Sequence, residues 1–378
     1  MARIVHAVRS GLYLKRALAL TLLGVPVACS AGAQRGPAAA PATTEPSAAP
    51  ATTEPATTPA ESPASPGAEP TPKDEKEISA QDAGACPADM KLVSGEYCTD
   101  AEHECLKSWY DPSNKKTVCE KFAETSRCTG SKVPKRFCID TYEWPNVKGE
   151  RPEVMNRFHQ AQIKCAAVGK RMCTESEWTL ACEGPQIKPF PYGYTRDTNK
   201  CHGDMKWDGP NMPKVARRDP DELARLWRGV RSGQPECVSD YGVYDLPGNA
   251  DEVVASEQVD AGWRGKFDSV HSGGPWYRGV RNQCRPKIYT HNEGFYYYFL
   301  SFRCCAEPDG KPTEPRTPKQ LKAGWKIEKV ERSAGYSIAQ MREKLELKKS
   351  GKCECKAHDV LCKTMCGTLL GPDAKDAK

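Results

Sequence analysis

The segment SGGPWYRGVRNQCRP, residues 272–286, gathers groups able to do chemistry: Trp276 and Tyr277, the guanidinium groups of Arg278, Arg281 and Arg285, and the sulfur of Cys284. Guanidinium forks grip carboxylate, sulfate or phosphate through paired N–H donors, while indole and phenol rings stack on flat or cationic partners. The set therefore suits an anionic or sugar-like ligand. An architectural role competes with this for Arg281 and Arg285, which could instead brace the domain against buried carboxylates such as Asp245 or Glu252. Trp276, like Trp178 and Phe302, is expected in the core, where large rings anchor a fold with little regular structure. No Ser-His-Asp triad, phosphate-cradling glycine loop or glycosidase carboxylate pair stands in recognisable context. The seven histidines, at 6, 103, 159, 202, 271, 291 and 358, include no two at helical metal-ligand spacing.

The elements that must position this loop are short. RFCIDTYEWPN, 136–146, opens with apolar and polar residues in alternation and stops at Pro145, the pattern of a strand running into a turn. A helix is expected from roughly Glu153 to Val168, with Val154, Phe158, Ala161 and Cys165 on one face and Gly169 closing it. In TESEW, Thr174 can cap the amide of Glu177 while Glu177 reaches back, which starts a second helix carrying Trp178, Ala181 and Cys182 inward. Short apolar runs and frequent turn signals give an α+β domain, 86–306, with much irregular structure. A Pro-rich linker is expected over 307–336, then a basic tail, 337–378, with a charged helix near Ser337–Lys349 carrying Ile338, Met341 and Leu345 on one side.

Of 19 cysteines, 14 lie between Cys86 and Cys305, four between Cys353 and Cys366, and one is Cys29. Even numbers in both groups predict a full set of disulfides and an oxidising compartment, with Cys165, Cys173 and Cys182 placed for long-range bridges. The tail four lack zinc-ribbon spacing and read as two disulfides pinning a small helical hairpin. Residues 1–33 have the basic start and short apolar run, ALALTLLGVPVA, of an export signal. VPVAC resembles the lipobox of bacterial lipoproteins, which implies acylation of Cys29 and a membrane anchor; cleavage after Ala33 would instead release a soluble form. Residues 34–85 form a Pro/Ala/Thr-rich disordered tether in which APATTEP occurs at 40–46 and again at 49–55. An exported, outer-membrane or periplasmic lipoprotein meets membrane, glycans and envelope proteins rather than nucleic acid. From Lys311 onward, 16 Lys and Arg face 9 Asp and Glu, so the tail holds +7 of charge against +6 for the whole chain. That charge could meet anionic headgroups or simply solvate a helix face.

Five stretches in order resemble the formylglycine-generating enzyme, or sulfatase-modifying-factor, family: GKRMCTESEW (169–178), PFPYGY (189–194), YGVYDLPGN (241–249), SGGPW (272–276) with RNQCR, and SFRCC (301–305). The resemblance spans about 220 residues, Cys86 to Cys305, and implies a C-type-lectin-like fold. It also implies chemistry that this sequence departs from. Members that oxidise a sulfatase cysteine use two loop cysteines to bind copper, a soft pairing, yet no cysteine lies between Gly273 and Gln283. Copper is therefore not expected, and a binding or scaffolding role is favoured over the alternative, an oxidoreductase of the same family with another cofactor or substrate. Relatives hold calcium near the corresponding GN turn, so Asn249, Asp251 and Glu252 are the candidate calcium ligands implied here.

Overall fold

The computed structural model describes residues 84–112, 115–258, 262–277 and 279–371. The export signal, Cys29, nearly all of the tether and Arg278 lie outside the described residues. Strand β1 (Met90–Cys98) pairs antiparallel with β6 (Lys132–Asp140) along its whole length. Between them, β2 (Ala101–Glu102) pairs with β5 (Arg127–Cys128), and β3 (Cys105–Asp111) forms a hairpin with β4 (Lys116–Phe122). β7 (Arg171–Met172) and β12 (Cys304–Ala306) complete a four-stranded sheet ordered β1-β6-β12-β7. β6 changes character along its length: Lys132–Pro134 are exposed, whereas Phe137–Asp140 are buried where β12 covers them.

The second sheet is built from β8 (Asp251–Ala255), β9 (Ser269–Ser272), β10 (Lys287–Ile288) and β11 (Leu300–Ser301), in the order β10-β9-β8-β11. Every residue of β8 and β9 is buried. β9 delivers the chain directly into Gly273, so the sheet aims the candidate loop.

Helix α1 runs over Phe158–Ala167, five residues later than the apolar spacing suggests. The reason lies in where the amides go. Glu153 N–H donates to Trp144 O, Met155 N–H to Tyr297 O and Phe158 N–H to Glu293 O, so residues 153–157 are bonded to distant segments instead of to a helical turn. Met155 also takes a left-handed backbone, φ 68°. Helix α2 (Glu175–Glu183) begins as expected: Thr174 Oγ1 accepts from Glu177 N–H, and Glu177 Oε2 accepts from Thr174 N–H at 2.8 Å. Both helices are wholly buried. Cys165–Cys304, Cys173–Cys305 and Cys182–Cys284 staple these helices and their approach to β12 and the loop. Two short helices, α3 (Met212–Ala216) and α4 (Pro220–Leu226), lie in the long excursion before β8.

Residues 307–336, expected as a linker, are not one throughout. They carry α5 (Pro318–Lys322) and α6 (Ile327–Ala334), and Val330 and Ala334 pack with Ile163 and Ala167 of α1. The apolar residues were too sparse among Pro, Lys and Glu to announce a buried face. The tail helices are α7 (Ile338–Lys349) and α8 (Val360–Cys366), bridged by Cys353–Cys366 and Cys355–Cys362. Met341 is buried with Ile163, while Ile338 and Leu345 flank it. A buried clasp ties the tail down. Lys164 Nζ reaches Glu153 Oε2 and Thr364 O, and Lys348 Nζ donates to Glu153 Oε1 at 2.8 Å. Burial opposes ionisation of Glu153, but the two ammonium groups prevail and hold its carboxyl at about 2.

Asp268 shows the opposite balance. Its Oδ2 accepts from Thr317 Oγ1–H and Gln320 Nε2–H, its Oδ1 is buried without a partner, and burial pushes its carboxyl up to about 6. A carboxyl raised in the fold binds its proton better there than in the unfolded chain, so stability falls as pH rises through 6. Asp268→Asn keeps both accepted bonds and cannot ionise. It is expected to raise stability at pH 7 by about 1–2 kcal/mol and to make little difference at pH 4, as read by denaturant unfolding.

Candidate functional site

The loop after β9 is clamped from below by the turn that precedes β8. Gly248 N–H donates to Gly273 O at 3.0 Å, Trp276 N–H donates to Asn249 O at 3.0 Å, and Trp276 O accepts from Met205 N–H at 2.9 Å. Asp251, itself buried, holds both limbs. It accepts Gly274 N–H at 3.2 Å and a fork from Arg281, with both contacts at 2.9 Å.

The five residues singled out from sequence therefore separate. Arg281 is the brace of the loop, through Asp251 rather than Asp245 or Glu252. Arg285 faces another way: it forks onto Glu183 of α2 at 2.7 Å twice and donates to Cys98 O at 2.9 Å. Trp276 is core, 2% exposed, with Trp227 edge-on at 4.7 Å. Tyr277 is half-buried, its ring 5.4 Å from Phe299 and its hydroxyl pushed up to about 12 by burial. Arg278 is not described.

The candidate calcium residues do not converge either. Asp251 and Glu252 are successive on β8 and point to opposite faces, as strand geometry requires. Glu252 is fully enclosed by Arg303, at 2.6–3.0 Å, and by Trp178 Nε1–H at 2.9 Å. Asn249 uses its amide on Val230 N–H and O and on Glu143 Oε2. Each candidate oxygen thus serves a protein partner, and two serve guanidinium groups. Sequence reading passed over the buried carboxylate of Glu143, which lies near Asp245, a residue named as a possible brace for the arginines. Burial, with Asp245 and Glu252 close by, drives Glu143 well above the usual carboxyl range, and burial raises Asp245 to about 6.

What gathers around Tyr277 is an aromatic shelf. Phe295, Tyr297, Tyr298 and Phe299 lie ring to ring at 4.6–5.7 Å, and Trp207, 52% exposed, donates to the Tyr298 hydroxyl at 3.1 Å. Met212, also exposed, takes the Tyr297 hydroxyl bond on its sulfur. At the inner edge His291 stacks on Phe295 at 3.9 Å and on His271 at 5.0 Å. Burial lowers both imidazoles, His271 to about 4 despite Asp251 beside it, so the pair is neutral at pH 7. The run FYYYF at 295–299 was the available signal, since five adjacent rings exceed what one face of a strand can bury. Such a shelf can stack on ring faces and offer hydroxyl and imidazole hydrogen bonds; it supplies no thiol. The 18 cysteines from Cys86 to Cys366 are all in disulfides, Cys284 with Cys182 among them. In the tail, the sulfurs of Cys355, Cys362 and Cys366 lie within 4.8 Å of one another because two bridges adjoin.

Comparison with known proteins agrees with this frame. Residues 113–308 match the sulfatase-modifying factor enzyme 1-like domain family. Over 114 residues the chain is 33% identical to "Inactive C-alpha-formylglycine-generating enzyme 2" of Bos taurus, covering 29% of this chain and 34% of that protein. The chain thus spans about a third of the length of the curated relative it matches. Among solved structures it is similar to PvdO from Pseudomonas aeruginosa, with TM-score 0.35, 13% identity, 57% of this chain and 93% of that one. It is also similar to Treponema denticola variable protein 1, with TM-score 0.34, 14% identity, 58% of this chain and 95% of that one. With the family match extending over half of its residues, the chain belongs to the sulfatase-modifying factor enzyme 1-like family.

Proposed function

We propose that the chain is an exported, lipid-anchored binding protein whose family domain carries out no copper-dependent oxidation and uses the shelf around Tyr277 to hold a ligand. The observation that carries this reading is the state of the sulfurs. No cysteine occurs from Gly273 to Gln283, and Cys284 is committed to Cys182. A copper(I) site of two thiolates therefore has no donors at the loop. The resemblance to a relative named as inactive supports the same reading. Acylation at Cys29 and the 34–85 tether would hold the domain off a membrane surface; among the described residues no helix is long and apolar enough to cross one.

Two measurements test it. Purified protein challenged with copper(I), oxygen and a cysteine-containing sulfatase peptide is expected to yield no aldehyde by mass spectrometry and to lose its copper to a competing chelator. Stoichiometric retained copper with aldehyde formation would reject the reading. For the ligand, a hit on a glycan array is expected to weaken at least tenfold in the Tyr277→Ala plus Arg278→Ala variant, since stacking and a guanidinium contact are both removed. A hit that survives that variant unchanged places the ligand elsewhere.

A further inference from the structure

Two guanidinium groups lie over one ring of the 295–299 run. Arg218 sits 4.4 Å and Arg157 5.7 Å from the centre of Tyr296. The Tyr296 hydroxyl donates to Ala216 O at 3.2 Å, and the Tyr297 hydroxyl meets the sulfur of Met212 at the other end of the same short helix. Helix α3 thus ties the two cations to the aromatic shelf.

Neither cation has a counter-charge. Arg171, Arg281, Arg285 and Arg303 each fork onto a carboxylate. Among the described residues no carboxylate pairs with Arg157, which is exposed, or with Arg218, which is half-buried. Arg218 Nη1 donates to Thr364 Oγ1 at 3.3 Å and Nη2 to Met155 O at 3.2 Å, both neutral acceptors, and its Nε is buried without a partner. The acids nearest in the chain are engaged elsewhere, Glu153 by Lys164 and Lys348 and Asp219 by the Glu222 amide. Burial lowers the pKa of Arg218, and Arg157 beside it lowers it further. The ring face of Tyr296 offsets part of this, but a half-buried cation next to a second one still lacks the anion that such groups normally have. Arg218 also holds a left-handed backbone, φ 56°, an unfavourable conformation for a residue with a long side chain.

We infer that Arg157 and Arg218 hold an oxyanion, a sulfate, phosphate or carboxylate group, borne by the ligand of the shelf; this rests on the shelf reading above and gives its ligand a class, an acidic molecule with a ring. Arg157 offers its fork, and Arg218 the Nη hydrogens that Thr364 and Met155 leave over. The ring of the ligand then lies towards Tyr297 and Met212.

Calorimetric titration of the full chain, native disulfides intact, with inorganic sulfate, phenyl sulfate and phenol separates charge from ring. Inorganic sulfate is expected to bind, more weakly as sodium chloride rises, phenyl sulfate at least about fivefold tighter, and phenol at least about tenfold weaker than phenyl sulfate. Arg157→Gln, at an exposed position, is expected to weaken both anions about tenfold, and Arg218→Lys, which keeps the charge and loses the fork, about threefold. Tyr297→Leu is expected to weaken phenyl sulfate alone, and Arg332→Gln, an equal loss of charge on α6, to alter nothing. No sulfate binding by the unaltered protein, sulfate bound as before by Arg157→Gln, an equal loss in Arg332→Gln, or phenol bound as tightly as phenyl sulfate would each overturn the inference. Phenyl sulfate no tighter than inorganic sulfate, or unmoved by Tyr297→Leu, would keep the anion at these arginines and reject the shelf as the seat of the ring.

Discussion

Arg303→Met is expected to cost about 3–5 kcal/mol of stability at pH 7 and to regain part of it at pH 5. Arg303 is wholly buried, forks onto Glu252 and donates to Asp140 O and Tyr244 O. Methionine fills the space of the stem but leaves Glu252 buried without its cation, with Glu143 and Asp245 adding like charge nearby. Burial already holds the Glu143 and Asp245 carboxyls above their usual range, and losing the Arg303 cation, which opposes that rise, lifts them further. They therefore take up protons preferentially in the fold, and stability rises as pH falls from 7 towards 5. Denaturant unfolding at the two pH values checks this. An equal loss at both would mean that Arg303 matters for packing alone.

Gly273→Ala is expected to destabilise by about 3 kcal/mol or more, although only one methyl group is added. Gly273 has φ +89°, and its Cβ would lie 2.3 Å from Leu246 O and 3.0 Å from the Trp178 ring. The first obstacle is backbone, which has no rotamer by which to step aside. Gly279→Ala, on the other limb of the same loop, meets its nearest atom at 3.6 Å and is expected to stay within about 0.5 kcal/mol. Thermal unfolding of the two variants side by side separates them. Similar small effects would show that the glycine frame is not needed for folding.

The frame of this domain was legible because its signals are local. TESEW contains both halves of a capping box, and glycine pairs mark turns whatever lies around them. Cysteine parity was legible for another reason, since it depends on count and not on place. Partner choice was not. Arg281 and Arg285 carry the same charge, yet one meets Asp251 and the other Glu183, because the pleat of β8 and the position of α2 decide which carboxylate comes within reach. The start of α1 was missed for the same physical reason: distant carbonyls of Trp144, Glu293 and Tyr297 claim amides that local spacing assigns to a helix. The shelf, too, is a product of the fold, bringing Trp207 and Met212 beside rings nearly a hundred residues further on.

Cys304 and Cys305 are neighbours on β12, so their sulfurs leave the strand on opposite faces, one towards Cys165 of α1 and the other towards Cys173 ahead of α2. A slip of one residue would present each sulfur to the wrong side, and the strand's alignment is thereby written twice in covalent bonds. The partners are separated by 139 and 132 residues. While the polypeptide is still growing, Cys165 and Cys173 have only each other and closer thiols to meet, so delayed oxidation, or repeated shuffling once synthesis is complete, is what lets this molecule reach its final linkage.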